Sequence, residues 1–320
     1  MGFDLSGVKI ENTSDKTGLF HTISNASIEN INLKDFVITG RSIIGSLAST
    51  VNGNTNIKSV NIINSEIFST LPRVGGYFGL VDTANLRLID SDIVVNISSS
   101  SLRIGGITGE ALNSNIEIKN LSASGLIETS FSGNSFLGGL IGDIKSDNIS
   151  NPKKLTLTSI YSDLDIITIN STLIGGVIGQ VKFMNSYLEN ISSTSIVAGS
   201  SSSTNNRDFG GIIGKAEASN IILNQITRAG LISSGSRKEG LIGTTVIAPG
   251  NAASFEILIQ NTYITSTFNN STVRGNIIGF AYNDFTLTGS TNFVLTNDNF
   301  GLIEENVFKS VNFDTILISP

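Results

Sequence analysis

Carboxylates are the side chains of this sequence with the widest chemical reach. They pair closely at Asp90 and Asp92, Asp143 and Asp147, Asp163 and Asp165, and Glu304 and Glu305. Two acids on one face can cleave a glycosidic bond, one protonating the leaving oxygen while the other attacks or activates water. An i, i+2 spacing on a strand sends both side chains to one face. Asp90/Asp92 and Asp163/Asp165 take nearly the same place in copies of a repeat two apart, with Ser122 and Ser124 in the copy between them. That interruption makes the acids read as a solvated polar face in preference to a hydrolytic or a cation site.

Other chemistries lack their parts. His21 is the single histidine and there is no cysteine, which removes catalytic triads, HExxH metalloprotease sites, thiolate or His-based zinc sites and disulfides together. His21 follows Leu19-Phe20, where other copies have Gly142 or Gly179, and reads as a surface residue of a terminal repeat. The glycines do not form a phosphate loop, and the repeats lack the Gly-Gly-x-Gly-x-Asp pattern of calcium-binding β-rolls. Asn297-Asp298-Asn299-Phe300-Gly301 is rich in oxygen but reads as a turn. The expectation is no catalytic residue, no cofactor-binding residue and no metal site. A net charge of −6 without a basic block argues against nucleic acid as a partner. No run approaches the roughly 18 apolar residues of a membrane-spanning segment.

The elements that must carry these residues are set by a recurring glycine cluster. Clear copies are Gly75-Gly76-Tyr77-Phe78-Gly79, Gly105-Gly106-Ile107-Thr108-Gly109, Gly138-Gly139-Leu140-Ile141-Gly142, Gly175-Gly176-Val177-Ile178-Gly179 and Gly210-Gly211-Ile212-Ile213-Gly214. Looser copies include Ile43-Ile44-Gly45 and Gly240-Leu241-Ile242-Gly243. With the residue after the apolar pair as reference, the second copy is marked by Gly45 and the mean period is about 31 residues, a solenoid or propeller spacing. Between clusters, apolar residues alternate with polar ones, as at Ile116-Ile118 and Leu155-Leu157, and Ile, Val, Thr and Phe favour strands.

Three short strands with turns fill one period, so each repeat predicts one coil turn stacked on the next. The resulting expectation is an all-β parallel β-helix, or β-solenoid, of about ten turns with Gly-rich corners. It forms one elongated domain over residues 1–320, with repeats starting near 17, 41, 74, 103, 136, 173, 208, 238, 274 and 299. The glycines are expected to supply positive φ at corners and close approach between turns. Specificity is expected in the variable loops, among them 200–208 and 249–254.

The Gly-Gly-apolar-apolar-Gly core, closest at Gly139-Leu140-Ile141-Gly142 and Gly240-Leu241-Ile242-Gly243, resembles the GLUG repeat. Such repeats occur in large bacterial surface and secreted proteins, including adhesins and non-catalytic parts of immunoglobulin A peptidases. The resemblance implies a β-solenoid spacer or adhesive stalk and carries over no catalytic residue. The expected function is thus a non-enzymatic structural or adhesive module, extracellular or at the cell surface, with a host protein or glycan as partner. Rows of Asn, Ser and Thr on a stacked face suit hydrogen bonding to carbohydrate. A carbohydrate-active β-helix using the acids above is the alternative, and end-to-end self-association into a filament is a third reading. The start of the sequence has no export signal, which suggests an internal piece of a larger exported protein.

Overall fold

The computed structural model describes residues 2–199, 208–234, 238–246, 256–264, 267–269, 278–282, 285–290 and 308–313. Every strand pairing among them is parallel, and no helix occurs among the described residues. The register returns through Lys16, Ile43, Arg73, Arg103, Phe136, Leu173, Asp208 and Lys238, which makes about seven turns of a β-solenoid. The expectation is about ten turns; seven are followed through this column, and parallel pairing continues beyond it at Ile242 with Ile278 and at Leu287 with Val311. The copy near 299 lies outside the described residues, as do most of the variable loops 200–208 and 249–254. Adjacent parallel strands about 4.8 Å apart give these seven turns a length of about 34 Å.

The fourth turn shows how the chain makes a coil. Arg103–Gly105 forms a short first wall, and after a two-residue bend Thr108–Leu112 folds back as the second. Asn115–Gly138 then runs as one long strand, with 115–119 as the third wall and 121–129 as the fourth, before its end begins the next turn. Turn lengths vary from the 27 residues between Lys16 and Ile43 to the 37 between Phe136 and Leu173. The longest carries a six-residue insertion after Lys145, because Leu112 pairs Lys145 whereas Ile116 pairs Leu155. The walls stay in register and the corner absorbs the difference.

Register also corrects one repeat boundary. Phe20 pairs Ala48 and Ala48 pairs Phe78, so His21, Ser49, Gly79, Gly109, Gly142 and Gly179 form one column. The second-copy counterpart of Gly79 is Ser49, while Gly45 stacks with Gly75 and Gly105 in another column. That copy keeps the first glycine, Gly45, and has Ser49 in place of the last, so its sequence signal falls four residues early.

Glycine corners also work differently from the expectation. None of the paired glycines has positive φ; among the described residues the positive-φ glycines are Gly7, Gly53, Gly125, Gly133 and Gly230. What the paired glycines provide is close approach between the first and second walls. A Cβ on Gly105 would lie 2.6 Å from Leu140 O and 2.7 Å from Gly142 N, and one on Gly109 would lie 2.5 Å from Val74 N. Sharp left-handed bends occur instead between the third and fourth walls, at Asn30, Ser59, Asp90, Asn120, Ser159, Asn190, Gln225 and Asn261, all with φ between 48° and 59°. These eight residues share one register column. Five of them are Asn or Asp, the non-glycine types that tolerate this conformation best.

Inward residues stack into one continuous core, with Ile104, Ile107, Ile116, Ile118 and Ile127 fully or nearly fully buried in the fourth turn. Two large polar side chains are among those that enter it with partners. Tyr77 is fully buried with its hydroxyl 2.5 Å from Val60 O and 3.0 Å from Asp92 O. Arg228, also fully buried, donates to Ser193 O at 3.2 Å and Ser195 O at 2.7 Å. It sits in the column of Ile62, Ile93, Ala123, Ser162 and Ser193, and its stem fills the space over Gly211. Burial lowers its pKa to about 10 against the opposing influence of Asp165, so the group remains cationic at neutral pH.

Candidate functional site

Parallel stacking places chemically alike residues in rows along the coil, and the outward side of the third wall carries the most regular one. Asn85 Nδ2 donates to Asn54 Oδ1 at 2.7 Å, and Asn115 Nδ2 donates to Asn85 Oδ1 at 2.8 Å. Backbone N–H groups close the row, Asn54 N donating to Asn25 Oδ1 at one end and Lys154 N to Asn115 Oδ1 at the other. An amide has two N–H donors and two lone pairs, so exposed Asn85 retains one of each toward solvent. Beside the row, Asn56, Arg87, Glu117 and Thr156 form the next column, with Arg87 Nε 3.3 Å from Glu117 Oε2. The two columns line a shallow groove of about 720 Å³. It offers neutral donors, neutral acceptors and one ion pair at intervals of about 4.8 Å, which suits a hydroxyl-rich or backbone-like polymer laid across the turns.

A second polar group lies where the first and second walls meet. Glu110 and Asp143, each 1% exposed, stack in adjacent turns beneath Arg73, Arg103 and Lys145. Arg73 pairs with Glu110, Arg103 Nε lies 3.0 Å from Glu110 and 3.1 Å from Asp143, and Lys145 Nζ lies 3.1 Å from Glu110. Burial alone would raise the Glu110 pKa, but Arg73, Arg103 and Lys145 outweigh it and hold the carboxyl below its ordinary range. At Asp143 burial prevails over Lys145 and Arg103, with Glu110 adding repulsion, and the pKa is raised. Three cations over two acids make this a clamp between walls. Two turns on, Glu217 takes Lys182 at 2.6 Å and Lys215 at 2.9 Å in the same manner.

Structure separates two of the three acid pairs that lie among the described residues. Asp90 is a left-handed corner whose Oδ1 accepts from Asn120 Nδ2 at 2.8 Å, and its bend breaks the alternation that would have aligned it with Asp92. Asp92 stacks with Ser122 and Tyr161, whereas Asp163 stacks with Ser124 and Val94, so the two pairs do not occupy equivalent places. Asp163 and Asp165 do share a face, and there Asp163 Oδ1 accepts from Thr194 Oγ1 at 2.6 Å and Asp165 Oδ1 from Ile196 N at 2.7 Å. Asp143 is buried in the clamp while Asp147 lies on the inserted corner, accepting from Asn113 Nδ2 at 2.7 Å. His21 is exposed on the column of Gly79, as its sequence position implied. Glu304, Glu305 and the 297–301 segment lie outside the described residues. Among the described residues no three His, Cys, Asp or Glu side chains converge as metal ligands.

Sequence reasoning passed over the clamp. Its signal was the recurrence of Arg-apolar-Gly at Arg73-Val74-Gly75 and Arg103-Ile104-Gly105, followed in the latter by an acid at Glu110.

The fold and this face define an all-β parallel solenoid with stacked polar rows. Over 155 residues the chain is 30% identical to an immunoglobulin A1 protease of Streptococcus sanguinis, an alignment covering 43% of the chain and 8% of that protein. It is 29% identical over 138 residues to an immunoglobulin A1 protease of Streptococcus pneumoniae, covering 41% of the chain and 7% of the relative. The match thus spans less than a tenth of these relatives' length. No family model and no solved structure matches the chain.

Proposed function

We propose that this chain is a non-catalytic β-solenoid module of a surface or secreted protein, built from GLUG-like repeats. It serves as a stalk that presents its third wall to a host glycan or glycoprotein. The polar groove over Asn54, Asn85 and Asn115 carries the reading, because a continuous row of residual amide donors and acceptors matches vicinal hydroxyls better than charged or apolar ligands. Partial similarity to parts of streptococcal immunoglobulin A1 proteases supports a location outside the cell. The non-enzymatic role is supported by acids that are each engaged in a structural hydrogen bond or in the clamp.

The test is retention of the chain on an array of host and bacterial glycans. Arg87→Ala combined with Thr156→Ala should abolish retention while leaving the circular dichroism spectrum unchanged. Hydrolysis of a polysaccharide by the chain, lost on Asp163→Asn with Asp165→Asn, would overturn the proposal in favour of a carbohydrate-active β-helix.

A further inference from the structure

The outward face of the fourth wall differs in chemistry from the groove just described. In turns two to five it carries five carboxylates, Glu66, Asp92, Glu128, Asp163 and Asp165, and no lysine or arginine among its described residues. The face is also unusually apolar for an exposed wall. Phe68 is 41% exposed, Tyr161 45%, Ile167 44% and Ile169 54%. Register sets Phe68, Ser98, Glu128 and Ile167 in one column, so a carboxylate stands between an aromatic and an aliphatic side chain along the coil. A groove of about 550 Å³ runs over this column from Thr39 to Ile169, floored by Ser and Thr. Across five turns it is about 19 Å long, the span of an extended segment of about six residues.

We propose that this face is a docking surface for an extended cationic segment of another protein, whose Lys or Arg side chains meet Glu128, Asp163 and Glu66 while its alternate apolar side chains cover Phe68 and Ile167. Charge complementarity selects the occupant. Anionic polysaccharide and anionic lipid are repelled by five acids on a wall that exposes no lysine or arginine in these turns, the cation that Asp165 influences being the fully buried Arg228, and a bare metal ion makes no use of the apolar column. A second copy is disfavoured because this chain is itself acidic, with a net charge of −6. The alternation of strand side chains lets an extended peptide set apolar groups over Phe68 and Ile167, with one charge over Glu128 between them and others toward Glu66 and Asp163 on other columns.

The experiment titrates the full chain with fluorescently labelled ten-residue peptides that alternate Lys with Leu, Glu with Leu, or Lys with Ser, reading anisotropy at two salt concentrations. The expected result is saturable binding of the Lys/Leu peptide, weakened by salt and absent for Glu/Leu. Glu128→Gln with Asp163→Asn should weaken it about tenfold and flatten its salt dependence, while Phe68→Ser with Ile167→Ser should weaken it without changing the salt dependence. Glu117→Gln on the third wall should leave it unchanged. Equal affinity for Lys/Leu and Lys/Ser, indifference to both double variants, or concentration-dependent self-association abolished by Glu128→Gln would each overturn the proposal. The four side chains changed in the two double variants are exposed and Glu117 is partly so, so the fold remains intact in the variants. Loss of glycan retention leaves this outcome unaffected, since the two faces share no residue.

Discussion

Two kinds of corner turn this chain, and they use opposite physics. Where the first and second walls meet, glycines with ordinary negative φ are required because backbone atoms of neighbouring strands occupy the space of a side chain. Where the third and fourth walls meet, the backbone is left-handed at all eight described corners, yet Asn, Asp, Ser and Gln fill the position there and no glycine does. The first corner is limited by contact across walls and the second by local backbone energy. A repeated glycine is therefore no guide to which torsion it adopts.

The sharpest way to break this contrast is to add one methyl group at each corner. Gly105→Ala should lower stability by about 3 kcal/mol, because the opposing atoms are backbone and cannot turn aside; a denaturant midpoint equal to the parent's would refute the close-approach account. Next in size is the clamp that seals the glycine corner. Glu110→Gln should cost about 2 kcal/mol at neutral pH, the worth of charged hydrogen bonds at a buried carboxylate. Its sign with pH is definite: the folded pKa is lowered, so the contribution is present above the ordinary value of 4.5 and fades as pH falls below it. Asp143 has the opposite sign, its ionisation costing stability as pH rises above 3.8, so Asp143→Asn should look progressively better from acid to neutral pH. Unfolding curves at several pH values would show the two variants diverging.

At the left-handed corner the expected effects are smaller. Asn120→Val should cost about 1–2 kcal/mol, while Asn120→Gly should fall within a few tenths of the parent. Equal losses for both would mean that the Asn120 to Asp90 hydrogen bond, and not the torsion, holds the corner. The smallest change is expected on the open third wall, where Arg87→Ala should shift stability by less than about 0.5 kcal/mol while weakening glycan retention.

Much of this architecture was legible beforehand. Alternation at Ile116-Ile118 and Leu155-Leu157, together with the regular glycine clusters, fixes parallel stacking and places the walls. The left-handed column was not legible, because Asn30, Ser59 and Gln225 have no single residue type in common and reveal themselves only through register. The same holds for the acids: Asp90 and Asp92 look like a strand pair until the bend at Asp90 turns them apart. For the candidate faces, sequence supplied the inventory of Asn, Ser and Thr, but only the pairing of Asn54 with Asn85 and Asn115 turns scattered polar residues into a row.

Parallel stacking has a mechanical consequence. The hydrogen bonds between turns lie along the long axis, so tension applied between the two ends is carried by successive interfaces in series. The weakest interface gives way first, and each turn that opens frees 27 to 37 residues, or about 100 Å of extended chain. A tether made this way lengthens in steps under load, limiting the peak force that reaches whatever its outer faces hold.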